Sequence, residues 1–308
     1  MKRKYRVLIL CCGVGHSSKA FLDEGWEVIG IDIDANILEW HNRNMPEAQT
    51  YCMDLNTASI SEIKAVVGSV DLVVITAPCQ GISAAGLFNV WDPRNSLVIR
   101  CLRIARALSP LAILTENVGS IVFGRMKAFY WVVMEEMLQM SEQYLTDDRI
   151  INGLHLGLPH RRKRWFNLQF DRSIVTEIVW PELNIEQVNN YRMKHILPQY
   201  EYLTYGFHNK NKTRLEKIVL PNDFLPTITA TPVLRVPGGA NLPIEDVAKA
   251  CGLTQSWQHP EQYQFAHLIM GNGFMFPMAR AFARTIKNVF DAHFNRRQLF
   301  LPPHVNQE

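Results

Sequence analysis

A thiol, a carboxyl and a guanidinium stand at three strand-like ends of this sequence. Cys79 follows the apolar run Leu72 to Thr76 through Ala77-Pro78, Glu116 follows Ala112 to Thr115, and Arg164 precedes Trp165 to Leu168. A thiol is a nucleophile, and a carboxyl and guanidinium groups at the same crevice are polar partners for a bound ligand. Position supports chemistry here. A turn just outside the carboxyl end of a central strand is where doubly wound sheets bind ligands, and proline fixes φ and helps aim the cysteine. A lone cysteine is usually a small buried hydrophobe. That reading weakens because Thr115-Glu116-Asn117-Val118 brings a carboxyl to the same crevice. Gly157-Leu158-Pro159-His160-Arg161-Arg162-Lys163-Arg164 brings the guanidinium groups, and taken alone it would be a solvated basic turn.

A second constellation lies near the amino terminus. LILCCGVGHSSKAF places Gly13, Val14 and Gly15 after the first strand-like run and before a helical pattern. Glycines there let the backbone turn tightly and approach a ligand. The third glycine of G-x-G-x-x-G is replaced by Ser18, so by itself this is a plain strand–helix turn. Asp32 ends the second run, where an acid can bind ribose hydroxyls, and Asp54 ends a third in YCMDL, where a carboxylate can accept from an adenine amino group. Together they favour a nucleoside-bearing cofactor. They do not separate NAD from S-adenosylmethionine (SAM), although the shortened glycine signature leans towards SAM, which has no pyrophosphate to cradle.

The elements that must position these groups can be read in outline. Val7 to Leu10, Val28 to Ile33, Leu72 to Thr76 and Ala112 to Thr115 are short apolar runs of the buried-strand type. Helical patterns over Ser17 to Glu24, Ser96 to Ala107 and Arg125 to Gln139 lie between or after them, which implies βαβ units and a doubly wound sheet. The alternation fades after Phe170. Residues 171–225 are rich in Asn, Tyr, Lys and Glu, and QYEYLTYGFHNKNKTRLEK interleaves aromatics with Lys210, Lys212, Arg214 and Lys217. This reads as a loop-rich small lobe. Helical spacing returns at Met278, Phe282, Ile286 and Phe290. The 308 residues are 47% hydrophobic and 20% charged, with a net charge of +3, which excludes a disordered chain and permits a polyanionic partner. No apolar run approaches the ~20 residues of a membrane span. The opening MKRKYRVLIL reads as a first strand with no signal-peptide cleavage site. Six cysteines without paired metal spacing suggest a reducing cytoplasm and no metal.

Taken in order, these segments resemble the C5-cytosine DNA methyltransferase family of prokaryotic or phage type. The family's SAM-binding turn is similar to Cys12-Gly13-Val14-Gly15, its ribose acid to Asp32 and its adenine acid to Asp54. Its Pro-Cys-Gln loop resembles Pro78 to Gly86, with Gln80 and Ser83, followed by Asp92 to Leu97. Glu116-Asn117-Val118, His160 to Arg164 and Gly271-Asn272-Gly273-Phe274 complete the likeness. Departures are Cys11 for a Phe, Ile33 for an aromatic, Ile82 for a Phe and His160 for a Gln. The motif that usually reads Leu-Thr-Pro-Arg-Glu survives as Leu242 to Asp246.

The resemblance implies a Rossmann-like α/β SAM-dependent methyltransferase sheet with helices on both faces and a small target-recognition lobe. The expected division is a catalytic domain over 1–169, the lobe over 170–262 and a returning C-terminal segment over 263–308. It implies Cys79 as the nucleophile at cytosine C6, Glu116 at the N3 and amino edge as a protonated acid, Arg164 at O2, and Arg162 supporting the loop. It implies a SAM site made by Gly13, Val14, Gly15, Asp32, Ile33, Asp54, Leu55, Pro78, Leu97 and Asn272, with no metal, and S-adenosylhomocysteine as product. Gln80 and Ser83 belong to a loop that closes over a flipped base. The expected partner is double-stranded DNA, read by a monomer in a prokaryotic cytoplasm or phage-infected host, in the setting of restriction-modification. Rival readings are a tRNA cytosine-5 methyltransferase, a catalytically silent DNA-binding relative, and a NAD-dependent oxidoreductase.

Overall fold

The computed structural model describes residues 3–78, 96–208, 214–254 and 256–299. Five parallel strands form its spine: β1 (Arg6–Leu10), β2 (Glu27–Asp32), β3 (Gln49–Cys52), β4 (Leu72–Ile75) and β5 (Ala112–Val118). With β6 (Tyr144–Asn152) and β7 (Lys163–Asp171) they make a seven-stranded sheet of order β3-β2-β1-β4-β5-β7-β6. The order reverses between β1 and β4, which opens a crevice at their carboxyl ends.

Side chains alternate across this sheet and build a core on each face. Val7 and Ile9 point with Val28, Leu72, Val74 and Leu114 into one core. Leu8 and Leu10 point with Ile29, Ile31, Val73 and Ile75 into the other. Helices α1 (His16–Asp23) and α9 (Phe276–Leu299) cover the first face, and α3 (Ile60–Val67), α4 (Ser96–Leu108) and α5 (Lys127–Leu138) cover the second. Starts are set by local chemistry. Asp34 caps α2 (Ala35–Asn44) by accepting from the Asn36 and Ile37 N–H groups, and Ser59 with Glu62 forms a reciprocal capping box on α3. Met278, Phe282, Ile286 and Phe290 of α9 are all fully buried, as their helical spacing predicts.

The sheet is mostly parallel, as the doubly wound reading expects, and β7 runs antiparallel to both β5 and β6. Only residues 153–162 link β6 to β7, fewer than the dozen or more a parallel crossover needs, so the chain turns back and inserts β7 between its neighbours. The segment after Phe170, read as loop-rich, is more ordered than loops. It holds a three-stranded antiparallel sheet of β8 (Leu203–His208), β9 (Arg214–Val219) and β10 (Leu234–Arg235), in the order β10-β8-β9. Helices α6 (Met193–Ile196), α7 (Ile244–Ala250) and α8 (Tyr263–Gly271) accompany it. The Leu242 to Asp246 remnant starts α7, and buried Asp246 accepts from Tyr200 Oη at 2.6 Å and Gln199 Nε2 at 3.0 Å. Among the described residues no helix is long and apolar enough to cross a membrane.

Candidate active site

At the end of β1 the chain makes a tight turn in which Gly13 has φ 56° and Gly15 has φ 94°. Gly15 is favoured by its left-handed φ, and a Cβ there would also lie 2.6 Å from Cδ2 of the His41 ring, which is hydrogen-bonded to Ser18 Oγ. Asp32, at the end of β2, fastens the turn. One carboxylate oxygen accepts from the Gly13 N–H at 2.8 Å, and the other from the Asp34 N–H at 3.1 Å. Burial raises the pKa of Asp32, and the backbone N–H groups only partly oppose that. Ile33, next in sequence, is 65% exposed and offers apolar surface beside the carboxylate. Asp54 lies just past β3 and accepts from the Asn56 N–H at 2.9 Å. Val14 and Leu55 are buried, so their side chains anchor the turns in the two cores. Leu97 is partly buried in the first turn of α4.

The cysteines beside this turn are poor nucleophiles. A hydrogen bond to Cys101 and burial hold the Cys11 thiol well above the ordinary thiol range, and burial does the same to Cys12.

The second cluster gathers the ends of β4, β5 and β7. Cys79, Gln80 and Ser83 lie outside the described residues, but the stem leading to Cys79 is described through Pro78, which is partly buried. Thr76 Oγ1 donates to the Cys11 carbonyl at 2.9 Å, and Asn117 Nδ2 donates to the Ala77 carbonyl at 3.4 Å. These contacts join the ends of β1, β4 and β5. Sequence reasoning singled out neither Thr76 nor Asn117 as a brace, because no spacing marks them. It also missed Arg100, which donates to the Leu55 carbonyl at 3.0 Å and the Ala58 carbonyl at 2.6 Å, fixing the turn that carries Asp54.

Register brings Glu116 and Arg164 together. Arg164 pairs with Val118, two residues beyond Glu116, so both side chains share one face of the sheet. Arg164 Nε lies 2.9 Å from Glu116 Oε1, and the two side chains are 13% and 8% exposed. The result is a shielded ion pair at the carboxyl end of β5, beside the strand end that leads to Cys79.

Arg162 does different work. Its buried guanidinium donates to the carbonyls of Ile228 at 2.9 Å, Gly271 at 3.3 Å and Gly273 at 3.0 Å. It therefore pins the small lobe and the Gly271-Asn272-Gly273 turn to the start of β7. Asn272, exposed at the end of α8, sits between two of those carbonyls. His160 is fully buried near this latch; burial first, then the Arg162 and Arg164 charges, hold its pKa well below the ordinary value. Among the described residues no group of three or more His, Cys, Asp or Glu side chains is placed to hold a metal ion.

Comparison with known proteins places this geometry in context. The chain is 30% identical over 160 residues to the Type II methyltransferase M.XorII of Xanthomonas oryzae, covering 50% of this chain and 38% of that protein. It is 29% identical over 181 residues to M.DdeI of Desulfomicrobium norvegicum, covering 57% and 43%. The aligned regions thus span less than half of these relatives' length. A solved structure described as a DNA modification methyltransferase encoded within an E. coli prophage matches 94% of this chain and 100% of its own, with TM-score 0.70 at 18% identity. The Dnmt2 methyltransferase of S. pombe matches with TM-score 0.63 at 16% identity, over 94% and 99%. These likenesses show a shared fold. The family model for C-5 cytosine-specific DNA methylase matches residues 5–232, and with it the chain belongs to the C-5 cytosine-specific DNA methylase family.

Proposed function

We propose that this chain transfers a methyl group from SAM to C5 of a cytosine extruded from duplex DNA, with Cys79 as the nucleophile. The observation that carries the reading is the shielded Glu116–Arg164 pair at 2.9 Å, set beside the stem of Cys79 by the Asn117–Ala77 contact. The residues near β1 fit SAM. Asp32 presents a carboxylate for ribose hydroxyls, Ile33 an apolar face for adenine, and Asp54 an acceptor for its amino group, with Gly13 to Gly15, Leu55, Pro78, Leu97 and Asn272 completing the site. SAM, the methyl donor of this family, would supply an electrophilic methyl group there.

Cytosine C5 is a poor nucleophile because the ring is electron-poor. Addition of the Cys79 thiolate to C6 turns C5 into an enamine-like carbon and pushes negative charge towards N3 and O2. Glu116, carrying a proton in the complex, donates it towards N3 and accepts from the amino group, and recovers it on elimination, while Arg164 meets O2, where preorganised donors lower the barrier most. Arg162 holds the strand start that aims Arg164. After methylation the C5 proton leaves and Cys79 is eliminated, restoring the ring. The resemblance assigns Gln80 and Ser83, which lie outside the described residues, to base contact. The target must leave the stack to reach this pocket.

Cys79→Ser tests the assignment. It should lower turnover by at least about a thousandfold while SAM binding stays within about twofold, since Gly13 to Gly15, Asp32 and Asp54 lie on other turns and the Pro78 backbone is unchanged. A duplex with 5-fluorocytosine at the target should trap the wild-type protein covalently, because fluorine cannot leave as a proton does. A fully active Cys79→Ser variant, or no adduct on a duplex that the enzyme methylates, would remove Cys79 from the mechanism.

A further inference from the structure

The turn that carries Asp54 is held from outside the sheet as well as from within it. Met53, just past β3, donates its N–H to the Asp32 carbonyl at 2.9 Å, which ties the two acidic turns together. Asp54 Oδ1 accepts from the Asn56 N–H at 2.9 Å. The Asp54 carbonyl accepts from the Thr57 and Ala58 N–H groups at 3.2 and 2.9 Å. These bonds curl residues 54–58 into a turn that runs into Ser59, the cap of α3. Two other carbonyls of the turn face α4. Arg100 meets both, with Nε donating to Leu55 at 3.0 Å and Nη2 to Ala58 at 2.6 Å. Leu97 stands three residues earlier on the same side of α4.

A guanidinium holds its donors in one plane, so a two-point grip fixes orientation as well as distance. Leu55 anchors the turn through its buried side chain and Arg100 grips its backbone, so the Asp54 carboxylate is given one direction. Direction decides which base is accepted. A carboxylate only accepts hydrogen bonds, and the 6-amino group of adenine supplies a donor. A 6-oxo base such as hypoxanthine puts a second acceptor at that place. Hypoxanthine also carries an N1–H next to its 6-oxo group, so a carboxylate free to swing would accept from that instead. Discrimination therefore needs a carboxylate that is held still.

We infer that Arg100 is a positioning residue for the cofactor's base: by clamping residues 54–58 it keeps Asp54 on the 6-amino group and so sets the choice of adenosyl over inosyl (6-oxo) cofactors. This role rests on the proposed placement of adenine at Asp54. The test is calorimetric binding of S-adenosylhomocysteine and of S-inosylhomocysteine, its 6-oxo counterpart, to the full chain. Wild type should prefer the adenosyl ligand by roughly tenfold to hundredfold. Arg100→Lys, which keeps the charge but not the planar fork, and Arg100→Ala should each cut that preference to below about threefold. Arg100→Lys keeps the test decisive if Arg100→Ala does not fold. An equal loss of affinity for both ligands, with the preference unchanged, would mark a merely structural brace and overturn this role. Asp54→Ala should also abolish the preference, and adding Arg100→Lys to it should change the preference no further. A further change there would mean that Arg100 acts other than through Asp54. Asp54→Ala with the wild-type preference would overturn the adenine placement, and a wild type that binds neither ligand would overturn the cofactor reading as a whole.

Discussion

Three arginine-rich positions in five residues divide their labour by direction. Arg164 reaches Glu116 across the face that β5 and β7 share, Arg162 turns inward to the carbonyls of Ile228, Gly271 and Gly273, and Arg161 lies over the Phe224 ring. His160 is buried beside them. Its imidazolium would be desolvated and repelled by Arg162 and Arg164, so its folded pKa lies well below the unfolded value of about 6.5. His16 is held down to about 3 and His41 to about 4, chiefly by burial. Below about pH 6.5 the unfolded chain therefore binds more protons than the folded one. Stability then falls as pH drops, by up to about 1.4 kcal/mol per pH unit for each such histidine, until its folded pKa is reached. His160→Gln removes one of these groups and keeps a polar amide. It should leave stability near pH 8 within about 1 kcal/mol of wild type and flatten the fall between pH 6 and 5 by about 1.4 kcal/mol per unit. Urea unfolding at a series of pH values reads this directly; an unchanged slope would mean that His160 does not contribute to the acid sensitivity.

Helix and strand ends carry the next level of organisation. The carboxyl end of α8 packs so closely on the lobe that a Cβ on Gly271 would lie 2.1 Å from the Thr229 carbonyl oxygen. Backbone meets backbone there, so no rotamer change relieves the clash. Gly271→Ala should push α8 from residues 229–230 and pull the Gly271 carbonyl from Arg162, costing about 2–4 kcal/mol. Thermal unfolding and proteolysis of the small lobe should both report it, and a variant as stable as wild type would show the latch to be dispensable. The same lobe explains a limit of sequence patterning. On β9, Leu215, Glu216, Lys217 and Ile218 are all exposed, so no period-2 contrast marks the strand, although its partner β8 buries Leu203. The helical face of α9 was legible because one side of it is wholly buried.

At the scale of the molecule, the start of β7 is tied to the segment after β9 by contacts that include the Arg162–Ile228 bond and a short parallel bridge between His160 and Leu225. An enzyme that extracts a paired base must cover the cost of unpairing and unstacking, a few kcal/mol, from binding energy. Replacing the guanine opposite the target with a mismatch removes part of that cost while contacts to the cytosine stay the same. The protein should bind the mismatched duplex at least about tenfold more tightly, and the preference should persist with a SAM analogue that cannot donate methyl. Competition titrations at one fixed salt concentration measure this. Equal affinities would argue against extraction from a paired helix and favour an unpaired, RNA-like substrate.

The amino-acid sequence by itself determined the strand–helix alternation of the first half, the glycine turn after β1, the acids ending β2 and following β3, and the buried face of α9. These are local properties: hydrophobic period, turn chemistry and short motifs are written within a few residues of where they act. Tertiary structure alone decided that β7 runs antiparallel between β5 and β6, that Arg164 meets Glu116 while Arg162 turns to the lobe, and that Thr76 and Asn117 brace three strand ends. Each joins residues from separate elements, in one case 66 positions apart. A side chain's partner at that range is set by strand register and packing direction, which neither spacing nor residue type encodes.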